Sequence, residues 1–209
     1  MPVDGPQYPV NLVLEGRPCL VVGGGVVAAR KAAGLRACGA CVHVVAPAVS
    51  EAVRAVDGVT WEERPYRPGE AAGYRLVVAA TGDPAVNRAV YGDGEAAGVW
   101  VNSADDPASC SFTLPAVVRR GPVMLTVSTG GHSPALSAWL RERLEGQVGP
   151  EYEILARLLA DERAALKAAG RSTEDADWKK ALDSDMLELI RAGQIMSARE
   201  RLQACLSSS

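Results

Sequence analysis

Short apolar runs alternate with segments of helical pattern through the first half of the chain. Three short runs, Cys19–Val22, Val42–Ala46 and Leu76–Ala80, are apolar apart from His43, which is typical of strands buried on both faces. Between them, Val26–Cys38 and Pro84–Ala97 have a helical pattern, the first followed by a glycine and the second begun by a proline. This alternation predicts a doubly wound parallel sheet with helices on both faces, an α/β fold. Further predicted elements of this half are strands at 8–14, Val59–Glu62 and Val99–Asn102, and a helix at Ser50–Val56.

The pattern changes after about residue 110. Phe112–Val118 and Val123–Ser128 are strand-like, and the four residues between them are too few for a crossover helix, so they predict a β-hairpin. The rest of the chain has a helical pattern, with segments at Ser133–Leu144, Tyr152–Ala169 and Trp178 to the C-terminus. We therefore expect three parts: an α/β domain at 1–112, a connector at 113–146 and a helical domain at 147–209.

A glycine loop stands between the first apolar strand and the first helix. Residues 23–28, GGGVVA, satisfy the pattern G-x-G-x-x-A in a βαβ context. Gly23 would allow the tight turn, Gly25 would let a pyrophosphate approach the main chain, and Ala28 would let helix and sheet pack closely. The anion would bind the free N–H groups at the start of the helix, near Val26 and Val27. The loop thus predicts a Rossmann-like dinucleotide-binding domain, with a purely structural turn as the alternative.

The choice of cofactor depends on the end of the second strand. An acidic residue that binds the adenosine ribose is expected there, but residues 43–47 read HVVAP and contain no carboxylate. No arginine follows to bind a 2′-phosphate, so we expect NAD, with backbone groups near Pro47 and Ala48 at the ribose. Thr81 and Asp83 follow the predicted strand Leu76–Ala80 and would reach the same edge of the sheet. Asp83 could also cap the helix that begins at Pro84. The predicted cofactor-binding residues are Gly23, Gly24, Gly25, Val26, Val27, Pro47, Ala48, Thr81 and Asp83.

Composition narrows the class of protein. The net charge of −3 over 209 residues provides no overall field for binding nucleic acid or an anionic membrane, so neither is an expected partner. The N-terminus has no basic region followed by a long apolar stretch, and no window is long and apolar enough for a membrane span. Cys38 and Cys41 form a single C-x-x-C, which we interpret as structural, and we expect no metal site. Five cysteines without a paired framework indicate a reducing compartment, so we expect a cytoplasmic protein.

Several further segments match one known family in order and spacing. They are residues 23–32, 79–87, 101–105, 111–115, 128–134 and 140–145. With these segments the chain resembles the siroheme-biosynthesis family of precorrin-2 dehydrogenases and sirohydrochlorin ferrochelatases. The resemblance spans residues 8 to about 146, and the helical tail matches only in character.

The resemblance implies an oxidoreductase that converts precorrin-2 to sirohydrochlorin with NAD⁺ as hydride acceptor. In bifunctional members the same protein also inserts Fe²⁺ into sirohydrochlorin, and this remains the alternative. The family's aspartate falls on Asp105, where a carboxylate could act as a general base, although the adjacent Asp106 leaves a one-residue ambiguity. From spacing alone, the pair could equally be a solvated turn. A non-enzymatic NAD(H) sensor with a partner-binding helical tail is the competing class.

The resemblance also implies a tetrapyrrole site and a homodimer. Residues 128–134, STGGHSP, are similar to a family loop suited to the carboxylate rim of the macrocycle, and Ser133 could instead cap the next helix. In this family the hairpin and the helices after it form the homodimer, although the sequence would equally allow the apolar hairpin strands to pack against the chain's own helices. Larger relatives carry a methyltransferase module, which we do not expect in a chain that stops at residue 209. The predicted substrate-binding residues are Asn102, Ser128, Thr129, Gly130 and His132, and the arginines that could pair with substrate carboxylates are Arg119, Arg120, Arg141 and Arg143.

Overall fold

The computed structural model describes residues 5–104 and 106–207. It divides into two compact units. One runs to Leu114 and includes Gly130–His132, and the other comprises Pro115–Thr129 and the residues from Ser133 onward. The three-part division at residues 112 and 146 stays a prediction. Within the described ranges, no helix combines the length and the apolar character needed to cross a membrane.

The first unit is built on a five-stranded parallel sheet, which confirms the predicted fold class. The strand order is β3-β2-β1-β4-β5, so the chain reverses direction across the sheet between β1 and β4. The strands are β1 at Pro18–Val22, β2 at Cys41–Ala46, β3 at Thr60–Glu63, β4 at Leu76–Ala79 and β5 at Trp100–Ser103. The helices are α1 at Val26–Arg36, α2 at Glu51–Arg54 and α3 at Pro84–Ala97.

The central strands bury both faces, as their continuous apolar sequences predict. In β1, Cys19 and Val21 belong to one apolar cluster with residues of α1, while Leu20 and Val22 belong to a second cluster with residues of α3. All four side chains are at most 2% exposed. The two clusters hold the sheet between helices, which fixes its carboxyl edge as the place where the loops meet.

The crossover from β3 to β4 contains a 3-10 turn at Glu70–Gly73 in place of a full helix. Arg64 holds this turn through a hydrogen bond from Nη1 to Glu70 Oε2 at 2.9 Å. The same guanidinium lowers the pKa of Glu70 below its ordinary value. Tyr66 donates a hydrogen bond to Asp93 of α3 at 2.8 Å, which ties the crossover to the sheet-covering helix.

The second unit contains the predicted hairpin and a helical cluster. Strands β6 at Ala116–Arg120 and β7 at Val123–Val127 pair antiparallel. The helices are α4 at Pro134–Gln147, α5 at Glu151–Ala168, α6 at Trp178–Leu182, α7 at Met186–Arg191 and α8 at Ile195–Ser207. Their apolar core includes Leu158 of α5, Met186 of α7 and Leu202 of α8, each at most 5% exposed.

Three predicted elements are wrong in type or extent. Residues 8–14 form no strand, and Tyr8 and Val13 are 89% and 83% exposed, because apolar alternation needs a partner strand and the described chain offers this segment none. The predicted strand Phe112–Val118 begins only at Ala116, directly after a proline that lacks the N–H needed for the ladder. The single helix predicted from Trp178 onward is broken into α6, α7 and α8, and Gly193 ends α7 with a φ of 75°.

Candidate functional site

The glycine loop packs against two other loops at the carboxyl edge of the sheet. A Cβ at Gly23 would lie 2.3 Å from the carbonyl oxygen of Ala80, and one at Gly24 would lie 1.9 Å from that of Ala48. Gly23 also has a φ of 133°, so its position requires glycine on two counts. Two hydrogen bonds fix the loop: Gly23 N–H donates to Val45 O, and Gly24 O accepts from Ser50 N–H, both at 2.9 Å.

Gly25 occupies open space at the start of α1. Nothing lies within 4 Å of a Cβ built on it, and as the N-cap residue it makes no side-chain capping hydrogen bond. The first turn of α1 carries no acidic residue, and Val26 and Val27 are 74% and 39% exposed. Uncapped N–H groups at the positive end of a helix, beside a residue without a side chain, fit a pyrophosphate.

The loop after β2 borders the glycine loop. Pro47 and Ala48 are exposed, and Ala48 presents its carbonyl to Gly24. Their predicted contact with an adenosine ribose stays a prediction, but their location beside the glycine loop agrees with it.

The loop after β4 is held by a buried asparagine. Thr81 Oγ1 donates to Asn87 Oδ1 at 2.7 Å, and Asn87 Nδ2 donates back to Thr81 O at 3.1 Å. Asp83 caps α3, as predicted, by accepting a hydrogen bond from Ala85 N–H at 2.8 Å. Thr81 and Asp83 are thus both engaged within their own loop, and any cofactor contact by them stays a prediction.

Strand β5 carries the predicted asparagine, and the segment after it carries the predicted aspartate. Asp105 lies outside the described residues. Asn102 is 7% exposed and donates through Nδ2 to Phe112 O at 3.0 Å, so its side chain joins β5 to the returning chain. Asp106 accepts from Ser109 Oγ at 2.8 Å and from Ala108 N–H at 3.2 Å, which closes a 3-10 turn at Pro107–Ser109. Cys110 Sγ accepts from Ser103 N–H at 3.2 Å across the same segment.

The loop at 128–134 contains an internal hydrogen-bond network. Thr129 Oγ1 accepts from Ser133 N–H at 3.1 Å and lies 3.0 Å from Ser137 Oγ, while Ser133 caps α4 through Leu136 N–H at 3.1 Å. The predicted capping role of Ser133 is confirmed. Gly130 has a φ of 59°, and His132 is exposed. Substrate contacts by Ser128, Thr129, Gly130 and His132 stay predictions.

The candidate arginines differ in their surroundings. Arg141 Nη1 lies 2.7 Å from Glu145 Oε2, and Arg120 Nη2 lies 3.8 Å from Glu145 Oε1. The Glu145 carboxylate thus forms an ion pair with both guanidinium groups. The Arg143 guanidinium lies 4.8 Å from the ring centroid of Trp139, a cation–π contact that leaves its donors available. Arg119 is exposed on β6.

Metal-binding side chains are dispersed over the described ranges. No group of three or more His, Cys, Asp and Glu residues there is placed to hold an ion. Cys38 and Cys41 form no disulfide bond, and their interpretation as structural stays a prediction.

Sequence reasoning missed the structural roles of two residues at this edge of the sheet. Asn87 was part of the family match, but its hydrogen bonds to Thr81 follow only from the fold. Gly24 was predicted as a cofactor contact, while the structure adds a packing reason for glycine there. The triple glycine was the available signal, because three glycines in succession exceed what the G-x-G pattern needs.

Family models and known proteins match the sequence of this chain. The family model described as "Putative NAD(P)-binding" matches residues 10–116, and the one described as "Sirohaem biosynthesis protein central" matches residues 120–147. The chain is 41% identical over 206 residues to the siroheme synthase of Nitrosococcus oceani, which covers 96% of this chain and 44% of that protein. It is 36% identical over 208 residues to the siroheme synthase of Nitrosomonas eutropha, with 97% and 44% covered. The chain therefore spans less than half the length of these two relatives.

A solved structure is similar over nearly the whole chain. Its title is "SirC, precorrin-2 dehydrogenase", and the match has a TM-score of 0.67 and 28% sequence identity. It covers 95% of this chain and 98% of that chain. The likeness therefore extends over both units of the described structure.

The glycine loop offers a matched pair of variants. Gly24→Ala should destabilise the fold by about 1–3 kcal/mol, because its methyl group would overlap a backbone carbonyl. Gly25→Ala should leave the melting temperature close to that of the unchanged protein, because its methyl group meets open space. It should nevertheless weaken NADH binding at least about tenfold by occupying the place of the pyrophosphate. Thermal melting and titration calorimetry check both, and unchanged NADH affinity in Gly25→Ala would remove the pyrophosphate from this loop.

Proposed function

We propose, from the premise that the chain belongs to the siroheme-biosynthesis family, that it oxidises precorrin-2 to sirohydrochlorin with a nicotinamide dinucleotide as hydride acceptor. The observation that carries the proposal is the likeness to the precorrin-2 dehydrogenase structure over 95% of the chain. A fold alone would not assign an activity, so the glycine loop and the family match at residues 101–134 are needed beside it.

The cofactor, when bound, supplies the carbon that accepts the hydride. Gly25 and the first turn of α1 would hold its pyrophosphate, and the turn at Pro47 and Ala48 would lie at its adenosine ribose. We assign NAD rather than NADP, because no arginine immediately follows β2 to bind a 2′-phosphate. The hydrogen bonds between Thr81 and Asn87 would keep the β4–α3 loop in place beside the nicotinamide half.

We assign the proton acceptor to Asp105. Oxidation removes a hydride from the macrocycle to the nicotinamide and a proton to a base, and a carboxylate at the carboxyl edge of the sheet is suited to take that proton. Two hydrogen bonds within its own turn engage the carboxylate of the neighbouring Asp106. This supports the first aspartate of the pair as the base and the second as a cap.

Substrate binding would fall to polar groups that suit a polycarboxylate. Asn102, Ser128, Thr129, Gly130 and His132 are the proposed contacts, and the cation–π contact of Arg143 with Trp139 leaves its guanidinium donors for a carboxylate. Arg120 and Arg141 share Glu145, so a substrate carboxylate would compete with an existing ion pair at either of them.

The name of the curated relatives favours a second activity. They are siroheme synthases, and siroheme is the iron complex of the product proposed above. We propose that the chain also inserts Fe²⁺ into sirohydrochlorin, with iron as a substrate and Asp105 as a candidate acceptor of the pyrrole protons that the metal displaces.

We propose that two copies of the chain associate through the hairpin and α4. Helix α4 buries none of its residues within the described structure, and Leu136 and Trp139 on it are 46% and 51% exposed. Val117 of β6 is a further exposed apolar side chain. Exposed apolar surface of this kind on adjacent elements marks an interaction site.

We also propose the cytoplasm as the compartment. None of the five cysteines forms a disulfide bond, and two of them, Cys19 and Cys205, are buried. Burial raises the pKa of the Cys19 thiol to about 11, which keeps it protonated and unreactive near neutral pH. Free thiols in these positions suit a reducing environment.

The oxidation is tested with purified protein, precorrin-2 and NAD⁺, by following NADH absorbance. Asp105→Asn should lower kcat by about 10²- to 10⁴-fold, because the base is lost, while NADH binding stays unchanged. Asp106→Asn is the matched control, and it should change stability by less than about 0.5 kcal/mol with little effect on kcat, because asparagine keeps the oxygen that caps the turn. Absence of NADH formation by the unchanged protein contradicts the proposed function, and inactivity of Asp106→Asn alone would transfer the role to that residue.

Iron insertion is tested by adding Fe²⁺ or Co²⁺ at low concentration to sirohydrochlorin and following its absorbance. The protein should accelerate metal insertion over the same mixture without protein. Equal rates in the two mixtures would leave the chain with the oxidation alone.

Association is tested by size-exclusion chromatography with light scattering. We expect twice the mass of one chain for the unchanged protein, and one chain mass for Trp139→Glu, because a buried charge would oppose the interface. Met196→Glu is the control, since Met196 is 69% exposed on α8 and lies outside the proposed surface. A single-chain mass for the unchanged protein would refute the dimer.

A further inference from the structure

The fold brings a carboxylate to the edge at which the sequence lacked one. Dinucleotide-binding sheets usually place an acidic side chain at the end of β2 to bind the adenosine ribose, and residues 43–47 contain none. In the parallel register, however, Glu63 is the partner of Ala46, and these are the last residues of β3 and β2. Glu63 therefore lies at the same end of the sheet as the acidic residue expected after β2, but on the neighbouring strand β3.

The contacts of Glu63 direct it toward the loop after β2. Its Oε1 accepts a hydrogen bond from Val49 N–H at 3.2 Å, and Val49 directly follows Pro47 and Ala48. The side chain is 47% exposed, and both of its hydrogen bonds use Oε1. A carboxylate held against this turn with its second oxygen outside those bonds can accept from a ribose hydroxyl.

The nearby arginine is already neutralised. Arg54 Nη2 lies 2.6 Å from Glu63 Oε1, and Arg54 Nε lies 3.8 Å from Glu51 Oε1. The guanidinium also lies 5.4 Å from the ring centroid of Trp61. With two carboxylates and an aromatic ring around it, Arg54 positions Glu63 and is not a vacant site for a 2′-phosphate.

We propose that Glu63 recognises the adenosine ribose and selects NAD over NADP. The proposal rests on the nicotinamide cofactor of the proposed function. Glu63 accepts a hydrogen bond from the 2′-hydroxyl of NAD, and its negative charge disfavours a phosphate on the same oxygen. The carboxylate missing after β2 is thus supplied by β3, seventeen positions later in the chain.

A purely structural role of Glu63 makes a different prediction. If the residue only joined Arg54 and Val49, its replacement would affect NADH and NADPH alike, and the effect would not depend on the ligand's 2′-hydroxyl. The discriminating measurement therefore varies both the protein and the ligand at the proposed contact, so that only a direct interaction produces coupling.

The test is titration calorimetry with NADH, with NADPH, and with NADH whose adenosine ribose carries hydrogen in place of the 2′-hydroxyl. Glu63→Gln keeps an acceptor oxygen for Val49 N–H and removes the charge. It should raise the Kd for NADH about tenfold and lower the NADH-over-NADPH preference by at least the same factor. Against the 2′-deoxy ligand, the same substitution should change the Kd less than about twofold.

Two further variants serve as controls. Glu51→Gln removes the other carboxylate near Arg54. The Glu51 side chain is 95% exposed, so this variant should leave the affinities for all three ligands within about twofold of the unchanged protein. Glu63→Asp keeps the negative charge on a shorter side chain and should retain the preference for NADH. It serves as the test variant if thermal melting shows that Glu63→Gln folds poorly.

Equal losses for all three ligands in Glu63→Gln, or an unchanged preference between NADH and NADPH, would overturn the proposal. The binding assay needs no tetrapyrrole. A chain that binds NADH through Glu63 but does not oxidise precorrin-2 would therefore contradict the proposed function and leave the ribose contact standing. If instead the protein oxidises precorrin-2 and Glu63→Gln leaves the preference between NADH and NADPH unchanged, the proposed function stands and the ribose contact is contradicted.

Discussion

The carboxyl edge of the sheet depends on the close approach of the glycine loop to two backbone carbonyls. Gly23 lies against Ala80, and Gly24 lies against Ala48, at distances that leave no room for a side chain. The loops after β2 and β4 are thereby fixed on either side of the start of α1. The next glycine is free of such contacts, so the positive end of the helix stays open to a ligand. The first two glycines of the loop thus serve packing, while the proposed binding falls to the third.

Most polar side chains around this edge and in the 128–134 loop are engaged within their own segments. Thr81 bonds to Asn87, Asn102 to Phe112, and Thr129 to the helix that follows it. Such bonds fix loop conformation, and they leave backbone N–H groups and a few half-exposed side chains for ligands. This arrangement suits a site in which shape is set before binding, because the loops then lose little freedom when the ligand arrives.

The sequence predicted features that depend on neighbours along the chain. The apolar strands, the caps at Asp83 and Ser133 and the hairpin are all read from local pattern, and the structure confirms them. Features that depend on residues far apart in the sequence could not be predicted from local pattern. The strand at 8–14 failed because local apolarity does not supply a pairing partner, and Glu63 was missed because its place beside Ala46 follows from strand register.

Asp106 caps a turn, whereas the neighbouring Asp105 is the proposed base. Hydrogen bonds hold the described residues on either side of Asp105. Asp106 accepts two such bonds within the turn that it caps, while Ala104, on the other side of position 105, donates its N–H to Ala79 O at 2.9 Å. The chain is therefore anchored on both sides of Asp105 by groups that the fold already uses. These anchored neighbours matter for the proposed role of Asp105, because a proton acceptor must be held close to the group that it serves.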